Sequence, residues 1–313
     1  MGSLAGVVEV VLPVFAMILL GFAAAKRRLV SEEGFKAMTL FVFGLAAPAL
    51  LFAGGTRPHE GGGGAALALL SGSVVMFWLA VAGGRAVFRL NLGEASLFAL
   101  SCIFGNSVMM GVPIIVAAYG PAGVPPMLGI LAFTTMILLG QATVLTEVGL
   151  HANAPWRRVL GASLKGILRN PVVLAVLAAF IWTLLGLHLP DVARRTLEMM
   201  GAAAPPLALF CLGGGLAGIA GAALWQETTA IVVVKLLALP ALVWGLALLL
   251  DLPPIEKAVA VTMAALPTGA NAFILARRYA TGTDRSGAAV VVTTALSVLT
   301  LSALIGHFRG ILP

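Results

Sequence analysis

The segment from residue 231 to residue 250 is a run of apolar side chains with a single charge, Lys235. Its length matches the roughly 20 residues that an α-helix needs to cross the hydrocarbon core of a bilayer. Over the whole chain, 60% of the residues are hydrophobic and 10% are charged, whereas soluble domains carry about 25% charged residues. A water-soluble fold of this size could not bury so much apolar area. The sequence therefore predicts a membrane-embedded protein and excludes soluble globular, disordered and nucleic-acid-binding classes.

Hydropathy predicts an all-α transmembrane fold, because the apolar runs lack the alternation of a β-barrel. Ten spans, numbered 1 to 10 in chain order, are predicted at 4–25, 35–54, 65–88, 94–119, 125–149, 171–187, 195–219, 227–250, 256–276 and 286–308. Residues 1–150 then form a first five-span repeat and residues 171–313 a second. Between them, residues 151–170 mix basic and apolar side chains, which predicts a cytoplasmic linker with an interfacial amphipathic helix.

The basic residues predict the orientation of the chain. Five of them lie in the even-numbered connections or near the C-terminus: Arg57, Arg194, Arg195, Lys257 and Arg309. Thirteen lie in the odd-numbered connections: Lys26, Arg27, Arg28, Lys36, Arg85, Arg89, Arg157, Arg158, Lys165, Arg169, Arg277, Arg278 and Arg285. Because cytoplasmic loops carry the excess of Lys and Arg, we expect the odd connections in the cytoplasm and both termini outside. For a bacterial chain the membrane would be the inner, cytoplasmic one. Span 1 is expected to be retained, since its basic residues follow the apolar run instead of preceding it.

Helix-breaking and polar residues recur at offsets close to half the chain length. The pairs are Pro48 with Pro205, Pro113 with Pro267, Asn106 with Asn271, and Thr134-Thr135 with Thr293-Thr294. Five spans per half is an odd number, so the second repeat must be inverted relative to the first. Inverted repeats with interrupted helices are typical of secondary transporters.

Spans 4 and 9 contain the strongest interruptions. Gly105, Asn106, Gly111 and Pro113 cluster in the middle of span 4, and span 9 contains Leu-Pro-Thr-Gly-Ala-Asn from residue 266 to 271. Backbone groups freed by such residues are tolerated in lipid mainly where they line a cavity. We therefore expect the two breaks to cross at similar depth and to form a binding site with an Asn from each. The alternative is a pair of proline kinks with Asn side chains bonded between helices.

The same runs resemble a known family. FGNSVMMGVP in span 4, LPTGANAFILARRY in span 9 and TTALSVLTL in span 10 are similar to the signatures of the auxin efflux carrier family. The resemblance implies two inverted five-span repeats, helices crossing at Pro113 and Pro267, and a relationship in fold to bile-acid sodium symporters. It also implies a scaffold of spans 1, 2, 6 and 7 that forms a homodimer, with the other six spans moving as a transport domain.

The resemblance also implies a substrate site, in which Asn106 and Asn271 contact the substrate. The candidate substrate-binding residues in the two breaks are Gly105, Asn106, Ser107, Pro113, Pro267, Thr268 and Asn271. Two features depart from the plant carriers: Met109 stands where an aromatic residue is usual, and the long cytoplasmic loop is absent. The chain therefore resembles bacterial members, which are linked to small organic acids such as malate or malonate.

Further polar residues lie inside the spans. Lys235 is a candidate for attracting an anionic substrate, or its side chain extends to the cytoplasmic surface. The hydroxyl and amide side chains of Thr134, Gln141, Thr293 and Ser297 form stripes that serve either interhelical hydrogen bonding or a polar ion site. The four His residues are unclustered, and the sequence contains no HExxH motif, no paired-carboxylate spacing and no Ser/His/Asp spacing. It therefore predicts no metal site, no cofactor and no enzyme.

These observations favour a secondary active transporter of small organic anions, mono- or dicarboxylates, that works by elevator-like alternating access. They do not identify a coupling ion, which would be a proton or sodium. Two alternatives remain open at this point: a sodium-coupled carrier of the bile-acid symporter type, and a channel or sensor that does not transport. The partners expected are the organic anion, the lipid bilayer and a second copy of the chain, with no nucleic acid.

Overall fold

The computed structural model describes residues 4–56, 63–150, 171–217 and 225–311, and these residues are almost entirely helical. The predicted interfacial helix at 151–170 lies outside them. The α-helices are α1 Leu4–Lys26, α2 Glu32–Phe41, α3 Ala47–Gly55, α4 Gly63–Val87, α5 Leu92–Ile103, α6 Val112–Tyr119, α7 Val124–Thr134, α8 Gly140–Leu150, α9 Pro171–Leu184, α10 Asp191–Ala202, α11 Ala204–Leu216, α12 Trp225–Val233, α13 Leu239–Leu249, α14 Pro254–Ala264, α15 Ala270–Arg278 and α16 Thr283–Arg309.

Local sequence explains several helix boundaries. Asn91 precedes α5 and accepts a hydrogen bond from the backbone N–H of Glu94, whose carboxylate accepts one from the N–H of Asn91. This reciprocal pair satisfies two donors that a helix start leaves unpaired. Gly282 precedes α16 with a φ of 64°, a left-handed conformation in which a side chain would be strained.

Three of the four stretches of wider π-helix in the described residues end just before a proline. Val42–Ala46 precedes Pro48, Ser107–Gly111 precedes Pro113, and Val234–Ala238 precedes Pro240. A proline has no N–H to donate, and its ring clashes with the carbonyl one turn earlier. A π-helical turn moves that carbonyl away, so each helix continues past its proline instead of ending there.

Six continuous helical stretches in the described residues are long and apolar enough to cross a membrane: Glu32–Gly55, Gly63–Val87, Ser107–Leu131, Asp191–Leu216, Trp225–Leu249 and Thr283–Arg309. Five of them match predicted spans 2, 3, 7, 8 and 10. The sixth, Ser107–Leu131, joins the second part of predicted span 4 to the first part of span 5. The all-α transmembrane prediction is therefore confirmed, whereas the count of ten crossings stays a prediction.

Two groups of helices pack among themselves. In one, α1 packs along α11, α2 also contacts α11, and α3 contacts α9 and α10. The approach of α1 to α11 is so close that a Cβ on Gly21 or Gly213 would overlap a carbonyl oxygen of the facing helix. Small residues at helix contacts are typical of membrane proteins. The other group places α4 against α5, α7, α13 and α14, with α5 also against α8. Large apolar side chains such as Leu79, Phe180 and Leu299 are exposed on the outside, as lipid-facing residues would be.

Candidate substrate site

Two interrupted helices meet in the interior of the protein. The first interruption lies between Ile103, where α5 ends, and Ser107, where helix resumes. The second lies between Ala264 and Ala270. The two extended pieces run antiparallel: the N–H of Asn106 donates to the carbonyl of Pro267 at 2.9 Å, and the N–H of Gly269 donates to the carbonyl of Phe104 at 2.8 Å. We call this pairing the crossing. It gives four backbone groups the partners that the broken helices no longer provide.

Thr268 ties the crossing to two further segments. Its hydroxyl donates to the carbonyl of Ser101 at 2.8 Å, within the last turn of α5. Its backbone N–H donates at 3.0 Å to the hydroxyl of Thr293, which itself donates to the carbonyl of Ala289 in α16. Both threonine side chains are fully buried. Thr268 and Thr293 therefore position the crossing, and neither reaches the cavity described next.

A cavity of about 70 Å³ adjoins the crossing. Two helix starts open onto it: the one at Ser107 to Met109, and the one at Gly269 to Asn271. The first N–H groups of a helix lack intrahelical partners and carry partial positive charge. Two such ends facing one cavity favour an anion there. The full lining is Phe43, Phe104, Gly105, Asn106, Ser107, Val108, Met109, Leu131, Thr134, Gly269, Ala270 and Asn271.

Asn106 is one of the polar residues that line this cavity. The residue is 6% exposed, and its side-chain nitrogen Nδ2 is buried with no hydrogen-bond partner in the part of the chain that the structure describes. A buried amide without a partner costs about 1–3 kcal/mol, so a native protein rarely keeps one without a use. Asn271 lies on the same cavity with an exposed side chain. The structure therefore brings together the two asparagines that the sequence analysis paired.

Lys235 lies near the C-terminal ends of the interrupted helices, whereas the cavity adjoins the helix starts on the other side of the breaks. It belongs to the π-helical stretch Val234–Ala238, has no exposed surface, and donates from Nζ to the carbonyl of Ala264 at 2.6 Å. The alternative in which its side chain extends to the cytoplasmic surface is therefore wrong. Lys235 does not line the cavity either. A Cβ placed on Gly105, which does line it, would lie 3.6 Å from Nζ.

The other predicted site residues take different positions. Thr134 lines the cavity and donates to the carbonyl of Ile130 at 2.5 Å. Gln141 lies outside the lining, and its side-chain nitrogen is buried with no partner within the described ranges. Ser297 is buried and donates to the carbonyl of Thr294 in its own helix. Only Thr134 of the four predicted polar-lining residues therefore reaches the cavity.

Pro113 does not mark the crossing, so that part of the expectation is wrong. The break precedes Ser107, whereas Pro113 lies beyond the π-helical turn, as the second residue of α6. The turn absorbs the proline without breaking the helix, and Gly105 and Asn106 form the break instead. Pro267 does lie in its break, where its carbonyl accepts from Asn106. Neither proline lines the cavity.

Sequence reasoning missed several lining residues. Phe43 and Leu131 come from the π-helical stretch before α3 and from α7, and no local motif connects them with the crossing. Gly269 and Ala270 lie inside the LPTGAN motif, where the glycine itself is the sign of a close backbone approach. A Cβ on Gly269 would lie 2.9 Å from the carbonyl oxygen of Gly105, so two backbones meet there.

Comparison with known proteins identifies the family of this chain. The family model described as "Membrane transport protein" matches residues 6–155 and 151–305. A protein of Rhizobium meliloti (strain 1021) named "Putative malonate transporter" is 32% identical over 320 aligned positions, which cover 99% of this chain and 98% of that one. An uncharacterized transporter of Methanocaldococcus jannaschii is 22% identical, covering 94% of this chain and 96% of its own. The chain is thus a multi-pass membrane protein that belongs to the membrane transport protein family, the family of the auxin efflux carriers.

Proposed function

We propose that the protein is a secondary transporter of small organic anions and that the cavity beside the crossing is its substrate site. The observation that carries this proposal is the cavity itself: two helix starts face it, and it is lined by Asn106, whose buried Nδ2 has no hydrogen-bond partner among the described residues. An amide N–H and the positive ends of two helices suit a carboxylate. Because no charged residue lines the cavity, no buried charge is left unpaired when the substrate is absent.

The size of the cavity favours a short carboxylate. One water-sized group needs about 10–15 Å³ of such space, so 70 Å³ holds on the order of five to seven of them. A three-carbon dicarboxylate such as malonate has about that size, whereas a bile acid is far larger. The relative named as a malonate transporter supports the same class of substrate.

An elevator-like movement is the mechanism that we propose for this carrier. The group of α1, α2, α3, α9, α10 and α11 corresponds to the predicted scaffold of spans 1, 2, 6 and 7, and the crossing belongs to the other group. A fixed site at a crossing of inverted repeats can be carried past such a scaffold. The proposal includes ten membrane crossings, both termini outside the cytoplasmic membrane, and a homodimer that forms through the scaffold. Cross-linking of single surface cysteines on α9 and α10 would test the homodimer.

Uptake of radiolabelled malonate into proteoliposomes tests the function. We expect saturable uptake by the wild type, reduced at least about tenfold by Asn106→Ala, because a hydrogen bond to a charged group contributes about 1.5–3 kcal/mol. Asn271→Ala is expected to reduce it as well. Ser302→Ala is the matched control, since that hydroxyl donates to the carbonyl of Val298 in its own helix and Ser302 does not line the cavity. Normal uptake by both Asn variants would refute the site.

The same vesicles separate the alternatives. A sodium-coupled carrier of the bile-acid symporter type would need a sodium gradient for uptake. A channel would give uptake that does not saturate and single-channel currents. A sensor would bind malonate saturably, yet show no exchange of external for internal label.

A further inference from the structure

Lys235 is a fully buried lysine with no acidic partner among the described residues. Its ammonium has no exposed surface, and its recorded hydrogen bond goes to the carbonyl of Ala264. In the described ranges no carboxylate lies within 4.0 Å of it; the ion pair found there joins Arg285 to Glu227. A buried charge is normally paired or bound to an ion, so the partner of Lys235 must be sought elsewhere.

Two helix ends lie close to Lys235. Helix α5 ends at Ile103 and α14 ends at Ala264, both inside the protein, and the stretch that carries Lys235 packs against α5. Each helix C-terminus carries unpaired carbonyls and about half a negative charge. Two such ends amount to about one negative charge, which one ammonium balances. The 2.6 Å contact to the carbonyl of Ala264 has the short length of a charge-assisted hydrogen bond.

In transporters with broken helices, such C-terminal ends and unwound carbonyls coordinate the coupling cation. Here a side chain of the protein already fills that position. Among the residues described, no group of three or more His, Cys, Asp or Glu side chains is placed to hold a metal ion.

We propose that the ammonium of Lys235 is the built-in cation of the crossing: it takes the place of a bound metal cation and supplies, through the backbone of Gly105, the positive charge opposite the substrate anion. This inference rests on the proposed function only where it concerns the anion. A Cβ on Gly105 would lie 3.6 Å from Nζ, so little more than this backbone separates the ammonium from the cavity that Gly105 lines. Lys235 is thus a positioning residue that acts through the crossing and does not contact the substrate.

Binding of malonate to the purified full-length protein gives the first test. We expect the dissociation constant of the wild type to change less than about twofold when sodium is replaced by choline at equal ionic strength. Lys235→Met keeps the length of the side chain without its charge and is expected to weaken binding at least tenfold in either salt. Leu236→Met, at the buried neighbouring position of the same π-helical stretch, is the matched control and should bind as the wild type does.

Chemical replacement of the ammonium gives a second test that needs no substrate. Lys235→Ala removes the amine and leaves space for a small one, so ethylammonium chloride should raise the thermal unfolding midpoint of this variant relative to choline chloride. The wild type should show no such rise. Leu236→Ala opens a space of similar kind without removing a charge, and ethylammonium should not raise its midpoint more than the wild type's.

Several results would overturn the proposal: a tenfold or larger gain of wild-type malonate affinity from sodium, unchanged binding by Lys235→Met, or equal effects of ethylammonium on Lys235→Ala and Leu236→Ala. If the wild type neither binds nor transports malonate, the proposed substrate is wrong. The ethylammonium comparison then still decides the role of Lys235.

Discussion

Replacing Gly269 with alanine should disrupt the crossing by steric overlap. A Cβ at this position would lie 2.9 Å from the carbonyl oxygen of Gly105, 3.1 Å from its carbonyl carbon and 3.0 Å from a ring carbon of Phe104. Ordinary van der Waals contact begins near 3.4 Å, so one backbone must retreat by about 0.5 Å from the other. Gly269 does not have a positive φ, so space alone accounts for the glycine.

The expected cost is about 2–4 kcal/mol. Overpacking of a close-packed interior costs about 1–3 kcal/mol. The retreat also stretches the 2.8 Å hydrogen bond from the N–H of Gly269 to the carbonyl of Phe104. Hydrogen bonds inside membrane proteins average about 0.6 kcal/mol and reach about 1.7, which keeps the total in the lower part of the range.

Gly105→Ala is the matched control across the same crossing. Its Cβ would lie 3.4 Å from Leu266 Cβ and from the carbonyl oxygen of Met263, and 3.6 Å from the Nζ of Lys235. These are ordinary contacts, so we expect a loss of stability below about 1 kcal/mol, within the usual range for substitutions that create no overlap.

The protein contains its own reporters for the measurement. Cys102 and Cys211 are free and buried, so a fluorogenic maleimide reacts with them only as the fold opens. At roughly 2–4 °C per kcal/mol, Gly269→Ala should lower the unfolding midpoint by at least about 4 °C. Equal midpoints for the two alanine variants, or a larger fall for Gly105→Ala, would refute the steric argument.

Three further predictions concern contacts around the crossing and between helices. Thr268→Val removes a buried hydroxyl that bonds the end of α5, and should lower stability by about 1 kcal/mol and weaken malonate binding; an unchanged midpoint in the maleimide assay would contradict it. Gly213→Leu should force α1 and α11 apart at a cost of about 3 kcal/mol or more, seen as aggregated protein in size-exclusion chromatography, whereas Gly215→Leu should elute normally because nothing lies within 4 Å of that position. Arg285→Met leaves the partly buried carboxylate of Glu227 without its ion-pair partner and should cost about 3 kcal/mol, while adding Glu227→Met should restore part of it; additive losses in a double-mutant cycle would show that the pair is not coupled.

The fold class and the place of the interruptions could be predicted from sequence because both depend on local composition. Apolar runs of span length define membrane helices whatever their neighbours are. Gly105, Asn106 and Pro267 weaken a helix wherever they occur, and these residues form the two breaks. The asparagine pair followed from the same local signal.

Only the tertiary structure decided which groups face the cavity and which support it. Phe43 and Leu131 line it from helices that carry no local sign of the crossing. Pro113 breaks a helix by propensity, yet the π-helical turn before it absorbs the proline, so the break lies at Gly105 and Asn106 instead. The sequence shows that Lys235 is a charge inside a span, but the direction of its side chain depends on where two other helices end. Local composition marks where a helix can break in a membrane, whereas packing decides which of those positions does break and what fills the space that opens there.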